Sequence, residues 1–141
     1  MFVTTPCAAC GTLNRTDLGR LTRGPRCGSC HSPLDPARPV PVDAGSFDAV
    51  LAGSEVPVLV DFHADWCGPC RMVGPVVEAL ARARAGSVLV LKVDTDKSPG
   101  LSERLGIRGI PTLIVFRNGR ETGRHVGVAQ PVQLEALLGA G

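Results

Sequence analysis

Between residues 57 and 116 the chain alternates short, almost wholly apolar runs with longer segments of mixed polarity. The apolar runs lie at residues 57–62, 87–93 and 112–116, and their length predicts strands that are buried on both faces. Between the first two runs, apolar residues recur at helical spacing from about residue 67 to 85, which predicts a helix. Strands buried on both faces need helices above and below them, so the pattern favours an α/β fold.

Shorter signals complete the predicted order of elements. They are a weak strand at 40–42, a helix at 47–51 with Ser46 as its N-cap, a helix that starts at Ser98 and Pro99, a hairpin turn at Asn118 and Gly119, a returning strand at 120–126, and a last helix from Pro131. The resulting order is β-α-β-α-β-α-β-β-α, in which helices flank a mixed central sheet.

The composition is different in the residues that precede these predicted strands and helices. Four prolines fall within residues 33–41, which favours an extended, semi-rigid linker. The sequence therefore predicts a small N-terminal module at residues 1–32, the linker at 33–41, and a C-terminal module at 42–141. Residues 1–38 hold five arginines against two aspartates, but the whole 141-residue chain has a net charge of only +2. This balance indicates no particular polyanionic partner.

Two features bear on the compartment. No stretch approaches the roughly 20 apolar residues that span a bilayer, so we expect no membrane partner. The first residues carry neither the basic segment nor the apolar segment of a secretion signal. The expectation is a cytoplasmic protein in a reducing environment, where structural disulfides are rare.

All six cysteines fall in Cys-x-x-Cys pairs, and the first two pairs have the spacing of a metal site, C-x2-C-x16-C-x2-C. These four residues are Cys7, Cys10, Cys27 and Cys30. Two short turns, in which Gly11 and Gly28 should supply positive φ angles, would bring four thiolates to one tetrahedral zinc ion. Four protein ligands leave no open position, so the Zn²⁺ would be structural and would supply the folding energy of so small a module.

Other interpretations of these four cysteines stay open. Iron fits the same four sulfur atoms. A disulfide framework fits only an oxidising compartment. Residues 27–31 also match the C-x-x-C-H motif that attaches c-type haem, but that interpretation needs export and leaves Cys7 and Cys10 without a role. We favour zinc, with His31 as a bystander.

The third pair, Cys67 and Cys70, lies where a buried strand gives way to a helix. A cysteine at a helix N-terminus meets unpaired backbone N–H groups and the positive end of the helix dipole, and both favour its thiolate. Cys70 follows one turn later and can form a disulfide with Cys67. The alternative is that this pair binds a metal, but no further cysteine pair remains to complete such a site. The pair therefore predicts thiol–disulfide chemistry.

At these residues the chain resembles thioredoxin, from about residue 40 to its end. The positions that carry the resemblance are Asp61, the motif Trp-Cys-Gly-Pro-Cys at 66–70, Pro75, Lys92, the run Ile-Pro-Thr at 110–112, Asn118, Gly119 and Gly127. With its four additional cysteines, the chain also resembles the bacterial thioredoxin subclass that carries an N-terminal zinc-binding extension. The resemblance implies a thioredoxin fold preceded by a small zinc-ribbon-like module.

The resemblance also implies a reaction and a partner. Cys67 would attack a disulfide of an oxidised protein substrate to form a mixed disulfide, and Cys70 would then attack Cys67 and release the reduced substrate. Thioredoxin reductase would restore the dithiol with NADPH, no organic cofactor would bind this chain, and the protein would be a monomer.

Further site residues follow from the resemblance and the local sequence. Asp61 lies in an apolar strand, so burial should raise its pKa and let it accept the Cys70 proton near neutral pH. Lys92 would tune Asp61, and Pro111 would be cis and face the cysteines. The alternatives are an exposed Asp61, a solvated Lys92 and a purely structural Pro111. A flat, mostly apolar docking surface for substrates would comprise Trp66, Gly68, Pro69, Ile110, Pro111 and Gly127.

One position departs from the family. Thioredoxins usually have tryptophan two residues after the buried aspartate, whereas this chain has His63. An ionisable ring there would shift the titration of Cys67, or the ring would be a neutral, hydrogen-bonded replacement for the indole; we favour the second.

The function that follows is protein-disulfide reduction. An oxidase or isomerase is the alternative within redox chemistry, although Gly-Pro between the cysteines resembles the reducing members. From another class, the N-terminal module would dock nucleic acid or a partner protein while the rest senses redox state. Five arginines without aromatic stacking residues are a weak nucleic-acid signal, so nucleic acid is not expected.

Overall fold

The computed structural model describes residues 1–139; residues 140 and 141, the end of the predicted C-terminal module, lie outside that range. The N-terminal part contains two strands and a 3₁₀-helix. These are β1 (Phe2–Pro6), β2 (Leu13–Asp17) and the 3₁₀-helix Leu18–Arg23.

The rest of the chain follows the predicted order of strands and helices, which is confirmed. Its elements are β3 (Val40–Pro41), α1 (Phe47–Ala52), β4 (Val58–His63), α2 (Gly68–Ala83), β5 (Leu89–Asp94), α3 (Pro99–Arg104), β6 (Thr112–Arg117), β7 (Arg120–Val126) and α4 (Pro131–Gly139). The five strands form one mixed sheet in the order β3-β5-β4-β6-β7. β4 pairs parallel with β5 and antiparallel with β6, so β4 lies at the centre.

The central strands are buried on both faces because alternate residues enter two separate cores. On one face, Val60 and Phe62 of β4 pack in a cluster with Phe47 of α1. On the other face, Leu59 packs in a cluster with Val77 of α2 and with residues of α4. Burial at roughly 25 cal/mol per Å² of apolar area is the main force that holds the helices on this sheet.

Two predicted helix caps are wrong in detail. Ser46 makes no side-chain cap bond to α1; the backbone carbonyl of Asp43 accepts the N–H of Phe47 at 3.0 Å instead. Ser98 also makes no cap bond to α3, because its Oγ accepts the N–H of Ala44 at 3.2 Å. Both serines bond to the loop at residues 43–46, and the bond to Ser98 ties the start of α1 to the start of α3.

The N-terminal part packs directly on the larger sheet. Val3 of β1 is fully buried in the same hydrophobic cluster as Val50 and Val56. The backbone N–H of Glu55 donates to the carbonyl of Phe2 at 2.9 Å, and the N–H of Phe2 donates to Oε1 of Glu55 at 2.7 Å. The division at residues 32 and 42 stays a prediction, but the two modules share one hydrophobic cluster.

A truncation in β1 tests this shared core. We expect Val3→Ala to lower the free energy of unfolding by about 2 kcal/mol, because it removes two buried methyl groups and leaves a cavity. The readout is urea unfolding followed by the fluorescence of Trp66, which is the only tryptophan and lies in the other module. Leu13→Ala, at a side chain that is 44% exposed, is the control and should leave the midpoint unchanged. An unaltered midpoint in Val3→Ala would mean that the modules unfold independently.

Candidate redox site and metal centre

The third cysteine pair lies at the start of α2. Cys67 has extended backbone angles and caps the helix: its Sγ accepts the backbone N–H of Cys70 at 3.2 Å. The two sulfur atoms are joined in a disulfide with the Cα atoms 5.3 Å apart. The two residues are 3% and 7% exposed, so at most a small part of the disulfide reaches the surface. The disulfide therefore joins the N-cap of α2 to its first helical turn.

Apolar groups and a second loop surround the disulfide. The carbonyl oxygen of Ile110 lies 3.8 Å from Cys67 Sγ, and the Ile110–Pro111 peptide bond is cis. The backbone N–H of Gly127 donates to the carbonyl of Pro111 at 2.8 Å, which places the end of β7 beside this loop. Trp66 is 69% exposed, and its Nε1 donates to Oδ2 of Asp96 at 2.9 Å.

The structure thus brings Trp66, Ile110, Pro111 and Gly127 to the edge of the disulfide, with Gly68 and Pro69 in the first turn of α2. Sequence reasoning missed the exposed apolar side chains on either side of Gly127, which are Val126 and Val128. The sequence signal for them was the alternation of Val126, Gly127 and Val128 at the end of a predicted strand.

A carboxyl group is buried behind the disulfide. Asp61 of β4 is 1% exposed, and its Oδ1 has no hydrogen-bond partner among residues 1–139. Burial raises the pKa of Asp61 to about 6, and the positive charge of Lys92 opposes that shift. Lys92 is the register partner of Asp61 on β5. A cavity of about 190 Å³ is lined by both residues together with His63 and Cys70.

His63 lies at the end of β4, half-buried. Burial lowers the pKa of its imidazole below the ordinary value, and the positive charge of Lys92 lowers it further. The ring is therefore neutral near pH 7, as the favoured interpretation requires. Among residues 1–139, the hydrogen bonds between His63 and Thr95 go to the backbone carbonyl of His63 and not to its ring.

The other four cysteines form a compact cluster at the far end of the N-terminal hairpin. Their sulfur atoms all lie within 4.8 Å of one another, with 3.6 Å between Cys7 and Cys30 and between Cys10 and Cys27. Four sulfurs at tetrahedral positions around a zinc ion, each about 2.3 Å from it, lie about 3.8 Å apart. The four residues therefore fit a tetrahedral metal ion.

The two turns that carry this cluster have the same hydrogen bonds. The N–H of Gly11 donates to the carbonyl of Cys7 at 2.8 Å, and the N–H of His31 donates to the carbonyl of Cys27 at 3.0 Å. Gly11 and His31 occupy the equivalent position, with φ of 78° and 65°. The expectation of positive φ at Gly28 is wrong: the left-handed residue follows the second cysteine of each pair, and in the second turn it is a histidine.

Known protein families match both the part of the chain that carries the disulfide and the part that carries the four-cysteine cluster. The family model described as Thioredoxin matches residues 38–140, and the model described as Thioredoxin 2, N-terminal matches residues 6–32. Thioredoxin C-3 of Corynebacterium nephridii is 36% identical over 132 residues, which cover 94% of this chain and 90% of that protein. The chain belongs to the thioredoxin family.

Further relatives place the match in the C-terminal module. The chloroplastic thioredoxin M5 of Oryza sativa subsp. japonica is 41% identical over 99 residues, and the match covers 70% of this chain but only 58% of that protein. The structure of a mutant thioredoxin from Halobacterium salinarum NRC-1 superimposes with a TM-score of 0.68 at 38% identity, covering 74% of this chain and 91% of that one.

The predicted fold and enzyme class are thereby confirmed: the chain has a thioredoxin fold and is a thioredoxin-type protein-disulfide oxidoreductase. The four-cysteine module is of the zinc-ribbon type and positions its cysteines to bind a metal. Within residues 1–139, none of the helices combines the length and the apolar character needed to cross a membrane.

The buried carboxyl of Asp61 makes stability depend on pH. Its pKa of about 6 in the folded state exceeds the ordinary value of 3.8, so the folded state binds the proton more tightly than the unfolded state does. The stabilisation that comes from protonated Asp61 is therefore lost as the pH rises from about 4 to about 6, and it is absent above that range. A shift of about two units corresponds to about 3 kcal/mol.

We accordingly expect Asp61→Asn to gain about 3 kcal/mol relative to the unchanged protein between about pH 4 and pH 7. Urea unfolding of the oxidised protein at several pH values measures the difference. Asp65→Asn, at an exposed side chain, is the control and should follow the unchanged protein. Parallel pH profiles for Asp61→Asn and the unchanged protein would contradict a raised pKa.

Proposed function

We propose that this thioredoxin is a protein-disulfide reductase of the cytoplasm, which NADPH-dependent thioredoxin reductase returns to the dithiol form. The observation that supports it best is the position of Cys67 Sγ, at the N-terminus of α2 and 3.2 Å from a backbone N–H. Such a sulfur is stabilised as a thiolate, which is the form that attacks disulfides. A dithiol centre and four metal-binding thiols both require a reducing compartment.

The proposed reaction has two exchanges. The Cys67 thiolate attacks one sulfur of a substrate disulfide, and the other substrate sulfur leaves as a thiolate. Cys70 then attacks Cys67, the Cys67–Cys70 bond forms, and the second substrate sulfur leaves. The substrate gains two electrons, which the cysteine pair loses. The distance of 5.3 Å between the Cα atoms supports closure of this small ring.

Asp61 is proposed to take the proton from Cys70 in the second exchange. Both side chains line the cavity of about 190 Å³ behind the disulfide. With a pKa of about 6, Asp61 is mostly ionised at neutral pH and can accept a proton, yet it holds that proton more strongly than an exposed carboxylate does. Lys92, opposite Asp61 in the sheet, tunes this balance by favouring the charged form.

Substrates are proposed to dock over the disulfide edge. The loop at Ile110 and cis Pro111 lies against Cys67, and exposed Trp66 stands beside it. The surface is completed by Gly68, Pro69 and Gly127. Its side chains are mostly apolar, which suits many partners better than one.

The four clustered cysteines are proposed to hold a structural Zn²⁺. Cys7, Cys10, Cys27 and Cys30 would occupy all four tetrahedral positions, so the ion would stabilise the two turns rather than bind substrate. The N-terminal module would then be ordered both by its metal and by the burial of Val3 against the thioredoxin domain.

Turnover with a foreign substrate tests the reductase proposal. We expect reduction of insulin disulfides in the presence of thioredoxin reductase, measured as NADPH consumption. Cys67→Ser should abolish turnover because it removes the nucleophile, and Cys70→Ser should accumulate a mixed disulfide with the substrate because resolution is blocked. Turnover that survives Cys67→Ser would contradict the assignment.

Metal analysis of the purified protein tests the zinc proposal. We expect one zinc per chain, and less in Cys27→Ser because a tetrahedral thiolate site loses a ligand. The double variant Cys67→Ser/Cys70→Ser is the control and should keep its full zinc content, since these sulfurs lie in the disulfide and outside the cluster. Iron, or no metal, in the unchanged protein would overturn the assignment.

A further inference from the structure

The two turns that carry the clustered cysteines are anchored differently in the chain. The first cysteine turn, residues 7–10, lies at the tip of the hairpin, between the end of β1 and the start of β2. The second cysteine turn, residues 27–30, lies outside the named strands and is flanked by an isolated bridge between Arg26 and Pro33. The first turn is therefore held by a sheet, whereas the position of the second depends on individual contacts.

One side chain joins the second cysteine turn to the hairpin, and it belongs to Asn14 of β2. Its Oδ1 accepts the backbone N–H of Gly28 at 2.9 Å, although the two residues are 14 positions apart in the chain. Its Nδ2 donates to the backbone carbonyl of Thr12 at 3.0 Å. The same carbonyl accepts the N–H of Cys7 at 2.9 Å and so closes the first cysteine turn. A single amide group therefore connects the two turns.

This connection has no equivalent elsewhere in the module. Within residues 1–139, the bond to Asn14 is the one hydrogen bond that joins residues 25–34 to residues 1–17, apart from two contacts between sulfur atoms. The sulfur atoms do not hold the turns together by themselves, because cysteines bind a metal as thiolates, and thiolates repel one another until a cation lies between them. Before an ion binds, the hydrogen-bonded link between the turns therefore depends on Asn14.

The groups on either side of Asn14 account for an amide at this position. A backbone N–H needs an acceptor and a backbone carbonyl needs a donor, and an asparagine side chain offers one of each. Aspartate has nearly the same shape but, when ionised, offers only acceptors, and leucine offers neither. The two neighbours also set which way the amide points, with Oδ1 towards Gly28 and Nδ2 towards Thr12.

We propose that Asn14 preassembles the four-cysteine site by holding the second cysteine turn against the first before the metal binds. This rests on the proposed structural Zn²⁺. Asn14 is a positioning residue in this scheme, because it bonds to the backbone of the turns and not to the ion. Without it, zinc binding would have to close the loop between residues 14 and 28 unaided, and loop closure costs chain entropy. Loss of the link should therefore weaken metal binding and leave the ligands unchanged.

Competition with a chromogenic chelator measures the zinc affinity of the full, reduced chain. We expect Asn14→Leu to bind zinc roughly tenfold to a hundredfold more weakly, which is the usual effect of removing a group that orients metal ligands. Leucine is close to asparagine in size, so this variant loses two hydrogen bonds and little volume. Asn14→Asp keeps an acceptor for the N–H of Gly28 and should recover part of the lost affinity.

The matched control is the other asparagine of the chain, Asn118. It lies in the turn between β6 and β7 with a φ of 53°, which glycine adopts readily. Asn118→Gly removes the same amide group outside the N-terminal module, so its zinc affinity should equal that of the unchanged protein.

Cobalt substitution separates preassembly from a change in the ligands. Co²⁺ held by thiolates absorbs light through sulfur-to-metal charge transfer, and the intensity of this absorption reports how many thiolates bind the ion. Asn14→Leu should need more cobalt than the unchanged protein and should reach the same spectrum at saturation. A saturated spectrum with fewer thiolates would mean that the variant has a different ligand set or a damaged fold, and would overturn preassembly.

The zinc titrations can also contradict the proposal. Equal zinc affinity in Asn14→Leu and the unchanged protein would overturn the role of Asn14 and leave the structural Zn²⁺ in place. Affinity in Asn14→Asp no higher than in Asn14→Leu would contradict the bond to Gly28 as the link between the turns. An unchanged protein that binds no zinc would overturn the zinc proposal and this inference together.

Discussion

The chemistry of this protein depends on one electrostatic contact, the backbone N–H of Cys70 against the sulfur of Cys67. That contact exists only because β4 ends at His63 and α2 begins at Gly68, so that Cys67 falls at the helix N-cap. The unpaired N–H groups of the first turn then face a sulfur atom and not water. Moving the helix start by one residue would return Cys67 to an ordinary thiol, whatever the rest of the fold did.

A second constraint opposes stability. The core needs apolar side chains on both faces of β4, yet Asp61 interrupts that strand with a carboxyl that has no partner for Oδ1 among the described residues. Burying it ionised costs about 3 kcal/mol at neutral pH, a large share of the roughly 5–15 kcal/mol that holds a typical domain together. Such a cost is typical of groups kept for proton transfer, since the same burial brings the pKa close to the working pH.

Sequence reasoning captured what periodicity and spacing encode. The doubly buried strands, the helix after Cys67 and the grouping of four cysteines all depend on local pattern. It failed where a residue had several local partners: Ser46 and Ser98 bond to the loop at 43–46 instead of capping helices. It also missed the burial of Val3, because a proline-rich linker reveals nothing about the surface on which the preceding module docks. The groove of about 700 Å³ between the N-terminal module and the sheet is likewise a product of docking.

The N-terminal module matters to the redox domain through that docking. β3 is an edge strand of only two residues, and it ends in Pro41, which has no N–H to donate. This edge of the sheet is therefore short, and little of β5 is covered by a neighbouring strand. The module lies over this edge and supplies Pro6 and Leu13 to one wall of the groove of about 700 Å³, while β5 supplies Lys92 to the other wall. A thioredoxin domain alone would leave His63 at an open surface. With the module in place, the ring lines an open groove to which both parts of the chain contribute.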